Sequence, residues 1–146
     1  MSTVISWTTE TWNPVTGCTK ISTGCANCYA ERLSLRYGWS KEPWIAANES
    51  KNIRLHPDRI AKLGKFKPGS RIFVNSMSDM FHSAVPDSFI DDIFSAMIAR
   101  TDLTFQCLTK RADRASKWRG PWPSHIWLGV SIENVRAIDR LSLLKL

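Results

Sequence analysis

Four segments of the sequence decide the fold class: RIFVN at 71–75, PDSFIDDIFSAMIAR at 86–100, LTFQCL at 103–108 and IWLGV at 126–130. Three of them are short apolar runs with the length and composition of buried strands. The segment 86–100 instead carries apolar residues at helical spacing behind a proline, with aspartates near its positive amino-terminal end. Strands that alternate with helices are typical of βα units on a parallel sheet, so the sequence predicts an α/β protein.

The flanking segments extend this alternation. A first strand is predicted at 4–7 (VISW), which gives four strands in all, followed by a long loop at 8–27. Residues 39–56 show no regular pattern. Further helices are predicted at 28–37, after Pro57, at 112–118, and from 134 onward with Asn134 as the N-cap.

Four strands are too few for a complete α/β barrel, which takes about 250 residues. The chain also ends within an apolar helical pattern. We therefore interpret residues 1–146 as a single α/β domain that forms the amino-terminal four βα units of a longer barrel. A small open α/β domain is the alternative.

The composition fits a globular protein with a basic surface. Of 146 residues, 43% are hydrophobic, and 20 Lys and Arg stand against 13 Asp and Glu, a net charge of +7. This balance favours polyanionic partners such as nucleic acid. The sequence has neither a signal peptide nor a membrane-spanning apolar run, so we expect a cytoplasmic protein that does not bind membranes. Cytoplasmic thiols stay reduced, so clustered cysteines are interpreted as ligands rather than disulfides.

Cys18, Cys25 and Cys28 have the spacing C-x6-C-x2-C within one loop, residues 8–30. Three thiolates suit an iron–sulfur cluster or zinc, and three rather than four leave one metal position open for another ligand. Alternatives are a zinc site completed by a histidine, or inert buried thiols. The histidines available are His56, His82 and His125. Cys107 lies in an apolar strand and is predicted to be a core residue.

Polar residues follow each predicted strand. Because the carboxyl ends of parallel strands gather on one face, these residues are expected to line one site. Each also has a structural interpretation: Asp79 and His82 could cap the helix after Pro86, the pair Lys110–Arg111 could be solvated, and Glu133–Asn134 could begin the last helix. Trp7 and Trp12 could stack on a base. The candidate residues are Asn75, Ser76, Ser78, Asp79, Lys110, Ser131 and Glu133.

The run TWNP at 11–14, followed by Gly17-Cys18 and by Gly24-Cys25-Ala-Asn-Cys28-Tyr29-Ala-Glu31, resembles a phage and prophage family of unknown function. Its members are known as phage proteins or three-cysteine proteins and are related to radical S-adenosylmethionine (SAM) enzymes. The likeness continues through NSMSDMFH at 75–82, LTKR at 108–111 and WLGVSIEN at 127–134, and so covers nearly the whole chain. The motif Cys-x-x-Cys-Tyr is also similar to that of DNA photoproduct lyases.

This resemblance implies a TIM-barrel-like, partial or full α/β barrel. It also implies a 4Fe–4S cluster on Cys18, Cys25 and Cys28, with SAM on the open iron, where electron transfer would cleave SAM to a radical that abstracts hydrogen. Two departures are visible. The commonest superfamily spacing is C-x3-C-x2-C, and the glycine-rich Gly-Gly-Glu segment after the second strand is replaced by Asn75, Ser76, Ser78 and Asp79.

The cysteine spacing together with this resemblance implies a radical-SAM-like iron–sulfur protein of phage origin. Its expected partners are an electron donor and a substrate that is nucleic acid or a nucleotide. The cysteines are the metal ligands, and the candidate strand-end residues bind SAM. A zinc-stabilised nucleic-acid-binding module without catalysis is the alternative.

Overall fold

A computed structural model describes residues 5–144 of the chain. It contains six strands and six α-helices within these residues, together with four short 3-10 turns. In chain order the elements are β1 (Glu10–Trp12), β2 (Val15–Thr16), α1 (Tyr29–Arg36), α2 (Glu49–Asn52), β3 (Arg54–Leu55), α3 (Pro57–Ala61), β4 (Arg71–Val74), α4 (Asp87–Ile98), β5 (Thr104–Thr109), α5 (Ala112–Ala115), β6 (Ile126–Val130) and α6 (Asp139–Leu143).

The main sheet has four parallel strands in the order β1-β4-β5-β6, which is also their order along the chain. The predicted α/β class and the predicted parallel sheet are therefore confirmed. Between β1 and β4 the chain also forms a two-stranded antiparallel sheet, in which β2 pairs with β3. This small sheet lies partly inside the segment 39–56, where the sequence predicted no regular structure.

The first strand is not where the sequence placed it. Val4 lies outside the described residues, whereas Ser6 and Trp7 form a turn and β1 begins at Glu10. The strand reads ETW and buries only Trp12, so it lacks the apolar run that identifies a strand in sequence. Its position is set by pairing with β4, in register Glu10 with Ile72.

The core lies between one face of the sheet and the helices. Alternate strand residues, such as Ile72, Val74 and Phe105, point to this face and pack against the apolar stripe of α4. That stripe consists of Phe89, Ile90, Ile93, Phe94 and Met97. Cys107 is in the same core, as predicted. No helix in the described part of the chain is long and apolar enough to cross a bilayer.

The opposite face of the sheet has less covering. Leu108 and Trp127 are exposed there, and Phe73 packs against Trp7 with ring centroids 4.7 Å apart. This open face and the carboxyl ends of the strands border the same cavity, where the candidate residues lie.

Candidate functional site

A cavity of about 1180 Å³ opens at the carboxyl ends of the parallel strands. The segments that follow all four strands contribute to its wall, through Asn13 after β1, Asn75 after β4, Lys110 after β5 and Ser131 after β6. We call it the strand-end cavity. Its position agrees with the rule that sites in parallel α/β folds form where strand ends converge.

Nine of the ten residues predicted as ligands or cofactor contacts line this cavity. Glu133 is the exception, because its carboxylate is held at the side of the cysteine loop by Ser22 and Arg140. The nine lining residues are Cys18, Cys25, Cys28, Asn75, Ser76, Ser78, Asp79, Lys110 and Ser131.

The three cysteines are free thiols and are half-buried in the cavity wall. Burial, and to a smaller extent the nearby Asp79 carboxylate, raise the pKa of Cys18 to about 11, and the Arg111 guanidinium partly offsets this rise. Cys18 is therefore a neutral thiol at neutral pH. Within residues 5–144 no three His, Cys, Asp or Glu side chains are arranged to hold a metal ion.

Strands β1 and β2 occupy the first part of the predicted loop 8–30, so the cysteines lie in its remainder, the cysteine loop, whose start is fixed by Gly17 immediately before Cys18. Its φ is +84°, and a Cβ at this position would lie 2.0 Å from the backbone oxygen of Asn52. Its amide donates to the Met77 carbonyl, which joins the loop to the segment after β4. Only glycine combines this conformation with such a close backbone approach.

The carboxyl end of the loop is held through α1. The Tyr29 hydroxyl, directly after Cys28, donates to the Ser76 carbonyl at 2.7 Å. The buried Glu31 accepts a hydrogen bond from the Trp44 amide and pairs with Lys20 at 3.0 Å. The motif Cys-Tyr-Ala-Glu therefore ties the cysteine loop to the segment after β4 and to the loop that carries Trp44.

Glu133 and Asn134 hold the middle of the same loop from the end of β6. Glu133 accepts from the Ser22 hydroxyl, and a Cβ on Gly24 would lie 2.2 Å from the Glu133 side chain. Asn134 donates to the Thr23 hydroxyl at 2.9 Å and also accepts from the Arg136 amide. The predicted N-cap at Asn134 is thus confirmed, although its first turn is 3-10 and α6 follows.

Asp79 joins the ends of β4 and β5. Its carboxylate accepts from the Thr109 hydroxyl at 2.7 Å, the Lys110 amide at 2.9 Å and the Phe81 amide at 3.0 Å. The Thr109 hydroxyl in turn accepts from the Arg111 amide. Asp79 does not cap α4, whose N-cap is Pro86 without a side-chain bond, so that structural interpretation is wrong.

Asn75 ends β4 in the left-handed conformation, with φ of +58°. Its side-chain oxygen accepts from the Val15 amide, whereas its amide nitrogen is buried without a partner. The hydroxyls of Ser76 and Ser78 already donate to Asn13 and to the Val15 carbonyl. Among these three residues, Asn75 alone has a buried donor left for a bound molecule.

Arg111 is the cavity residue that the sequence identified only as half of a basic pair. Its terminal nitrogen donates to the carbonyl and hydroxyl oxygens of Thr19, both at 3.1 Å, and its Nε is buried without a partner. Because it also lowers the pKa of Cys18, Arg111 is the cation next to the first thiol. A contact between residues 92 positions apart cannot be recognised from the residues next to either of them in the sequence.

The histidines proposed as zinc ligands have other partners. His82 is fully buried and accepts from the Ala84 amide through Nδ1, so its Nε2 carries the proton and donates to Thr19 at 2.8 Å. It does not cap α4. His56 contacts the Thr16 hydroxyl and His125 the Met97 carbonyl. Of the two tryptophans, Trp12 is in the core and offers no face for stacking, whereas Trp7 is partly exposed.

The family model described as "Protein of unknown function (DUF5131)" matches residues 2–145. The chain belongs to this family. No curated protein and no solved structure matches it.

The donor set of the cavity combines three thiols with hydrogen-bond donors that have no partner. Thiols bind soft metals and iron–sulfur clusters once they lose their protons. The buried Asn75 amide nitrogen and Arg111 Nε suit a carboxylate or phosphate, because an unpaired buried donor carries a desolvation cost that an acceptor would remove. In its chemistry, though not in the arrangement of the thiols among the described residues, this donor set suits a thiol-bound metal group beside an anionic ligand.

Proposed function

We propose that this protein is a radical-SAM-like iron–sulfur enzyme of phage origin. Cys18, Cys25 and Cys28 would hold a 4Fe–4S cluster, SAM would bind beside it, and an electron donor would serve as partner. One observation supports this above others: the three thiols and six of the seven residues assigned to SAM line a single cavity at the strand ends. Residues separated by more than 100 positions in sequence contribute to it.

The strand order also supports the proposal. Four parallel strands that follow one another in space as in sequence have the order found in (β/α) barrels, whereas doubly wound sheets reverse direction at a switch point. A radical-SAM-like partial barrel is the architecture we propose for this sheet.

The residues of this chain would divide the work as follows. The cysteine thiols would lose their protons to bind the cluster. The raised pKa of Cys18 opposes the loss of its proton. Asn75 and Arg111 would bind the carboxylate of SAM through their unpaired buried nitrogens. When bound, a cluster with an open iron supplies one-electron chemistry to SAM.

Anaerobic reconstitution with iron and sulfide tests the proposal. We expect the wild-type protein to take up iron and to show the broad visible absorbance of a cluster. Cys18→Ala, Cys25→Ala and Cys28→Ala should each abolish this uptake. Cys107→Ala is the matched control: it should keep the iron and lose stability by about 1 kcal/mol, because a buried sulfur is removed from the core.

The same samples distinguish the zinc alternative. A protein that purifies with stoichiometric zinc and takes up no iron under reducing, anaerobic conditions would contradict the enzyme proposal. Uptake of iron that is unaffected by all three single substitutions would contradict the ligand assignment.

A further inference from the structure

The strand-end cavity is far more basic than the chain as a whole. The sequence has 20 Lys and Arg and 13 Asp and Glu, whereas the cavity wall carries six lysine and arginine side chains and one acidic side chain, Asp79. The Asp79 carboxylate is engaged by Thr109 and by backbone amides. The six basic residues are Arg54, Arg59, Lys62, Lys65, Lys110 and Arg111.

These cations are for the most part not neutralised by the protein. Lys62 pairs with Asp58 at 2.9 Å, but none of the other five has a carboxylate within ion-pair distance among the described residues. Arg54 and Lys65 are also exposed. A concave wall with uncompensated positive charge attracts polyanions, and the effect is strongest where the walls exclude water.

Exposed aromatic rings line the same cavity as these cations. Trp7, Tyr29 and Trp39 line the cavity and are 39%, 46% and 59% exposed. The Trp39 ring stacks on Tyr37, with centroids 5.2 Å apart, which holds its plane in place. Exposed rings of this kind accept unpaired bases by stacking, and the combination of cationic groove and stacking platforms is typical of single-strand binding sites.

We infer that the strand-end cavity binds single-stranded nucleic acid. Arg54 and Lys65 contact phosphates at its rim, and Trp39 and Trp7 stack on unpaired bases. This inference names the substrate class of the site and rests on the proposed function for any chemistry. Binding itself needs only the charges and rings, so the protein without a cluster is expected to bind.

Fluorescence anisotropy with labelled 12-nucleotide DNA and RNA strands of one sequence tests this inference. We expect binding that weakens steeply with salt. Arg54→Glu with Lys65→Glu should lower affinity at least tenfold and reduce the salt slope by roughly 0.7 for each phosphate that the protein no longer neutralises. Trp39→Ala should lower affinity about fivefold or more, since one stacking platform is removed. The stronger of the DNA and RNA signals identifies the natural strand.

Matched variants outside the cavity control for net charge and for the removal of an exposed tryptophan. Lys117→Glu with Arg119→Glu makes the same charge change at exposed positions elsewhere, and Trp127→Ala removes an exposed ring outside the cavity. Both should bind nearly as the wild type does. Equal losses of affinity in cavity and control variants, equally tight binding of the duplex form, or no binding at low salt would overturn the inference. Iron uptake is measured separately, so that a failure of the proposed cluster is distinguished from a failure of nucleic-acid binding.

Discussion

Asp79→Asn is the most informative single substitution in the cavity wall. The carboxylate receives three donors, the Thr109 hydroxyl and the amides of Lys110 and Phe81, and thereby holds the ends of β4 and β5 together. The asparagine side chain has nearly the same size and shape. It keeps one acceptor oxygen and replaces the other with an amide group that only donates.

The expected cost follows from this geometry. If the remaining oxygen faces Phe81 and Thr109, the Lys110 amide loses its acceptor and meets another donor instead. A buried donor left unpaired costs about 1–3 kcal/mol, and the bonds that remain lose the strengthening that a charged acceptor gives. We expect the free energy of unfolding to fall by about 2–4 kcal/mol. For a domain of this size, that corresponds to a melting temperature lower by roughly 6–12 °C.

This effect is measured by thermal and urea unfolding of the protein without cofactor, with circular dichroism as the signal. Thr109→Val removes the hydroxyl from the other side of the network, and the double variant should show a coupling free energy of about 1 kcal/mol or more. Asp58→Asn, at an exposed ion pair with Lys62, is the control and should leave the melting temperature nearly unchanged. A melting temperature of Asp79→Asn within about 1 °C of wild type would refute the network, since the removal of even one bond should exceed that shift.

Two further predictions concern protonation. Because the pKa of Cys18 is raised to about 11, the rate of its alkylation by iodoacetamide, measured by mass spectrometry, should increase with pH up to that value. Arg111→Gln should move the midpoint of this pH dependence higher, because the Arg111 guanidinium lowers the pKa of Cys18. A rate that reaches its plateau below about pH 9 would contradict the burial of this thiol. Burial, with the positive charges of Arg111 and Arg114, lowers the pKa of His82 to about 4, although the Glu49 carboxylate is 3.7 Å away. The unfolded chain protonates this histidine near pH 6.5, so its contribution to stability is complete above that pH and is lost as the pH falls toward about 4. The free energy of unfolding in urea should therefore fall more steeply over this pH range in wild type than in His82→Gln. Parallel pH curves for the two proteins would show that His82 is not buried in its neutral form.

The sequence was sufficient to predict the α/β class and the three strands that contain apolar runs. Strands β4, β5 and β6 all contribute apolar side chains to one core, so their composition is determined locally by burial and can be read from a few consecutive residues. Strand β1 was misplaced for the opposite reason. It buries only Trp12, and pairing with β4, some sixty positions away, decides where it lies.

The convergence of candidate residues at the strand ends could be predicted because parallel strands impose it. The individual roles could not. Glu133 and Asn134 contact the cysteine loop across 111 positions, and Arg111 reaches Thr19 across 92. Such contacts depend on how the loops pack after the sheet has formed, and a hydrogen-bonding side chain looks the same in sequence whether it holds a loop or faces a ligand. Tertiary structure alone decides between these roles, because it fixes which donors and acceptors are already paired and which remain available in the cavity.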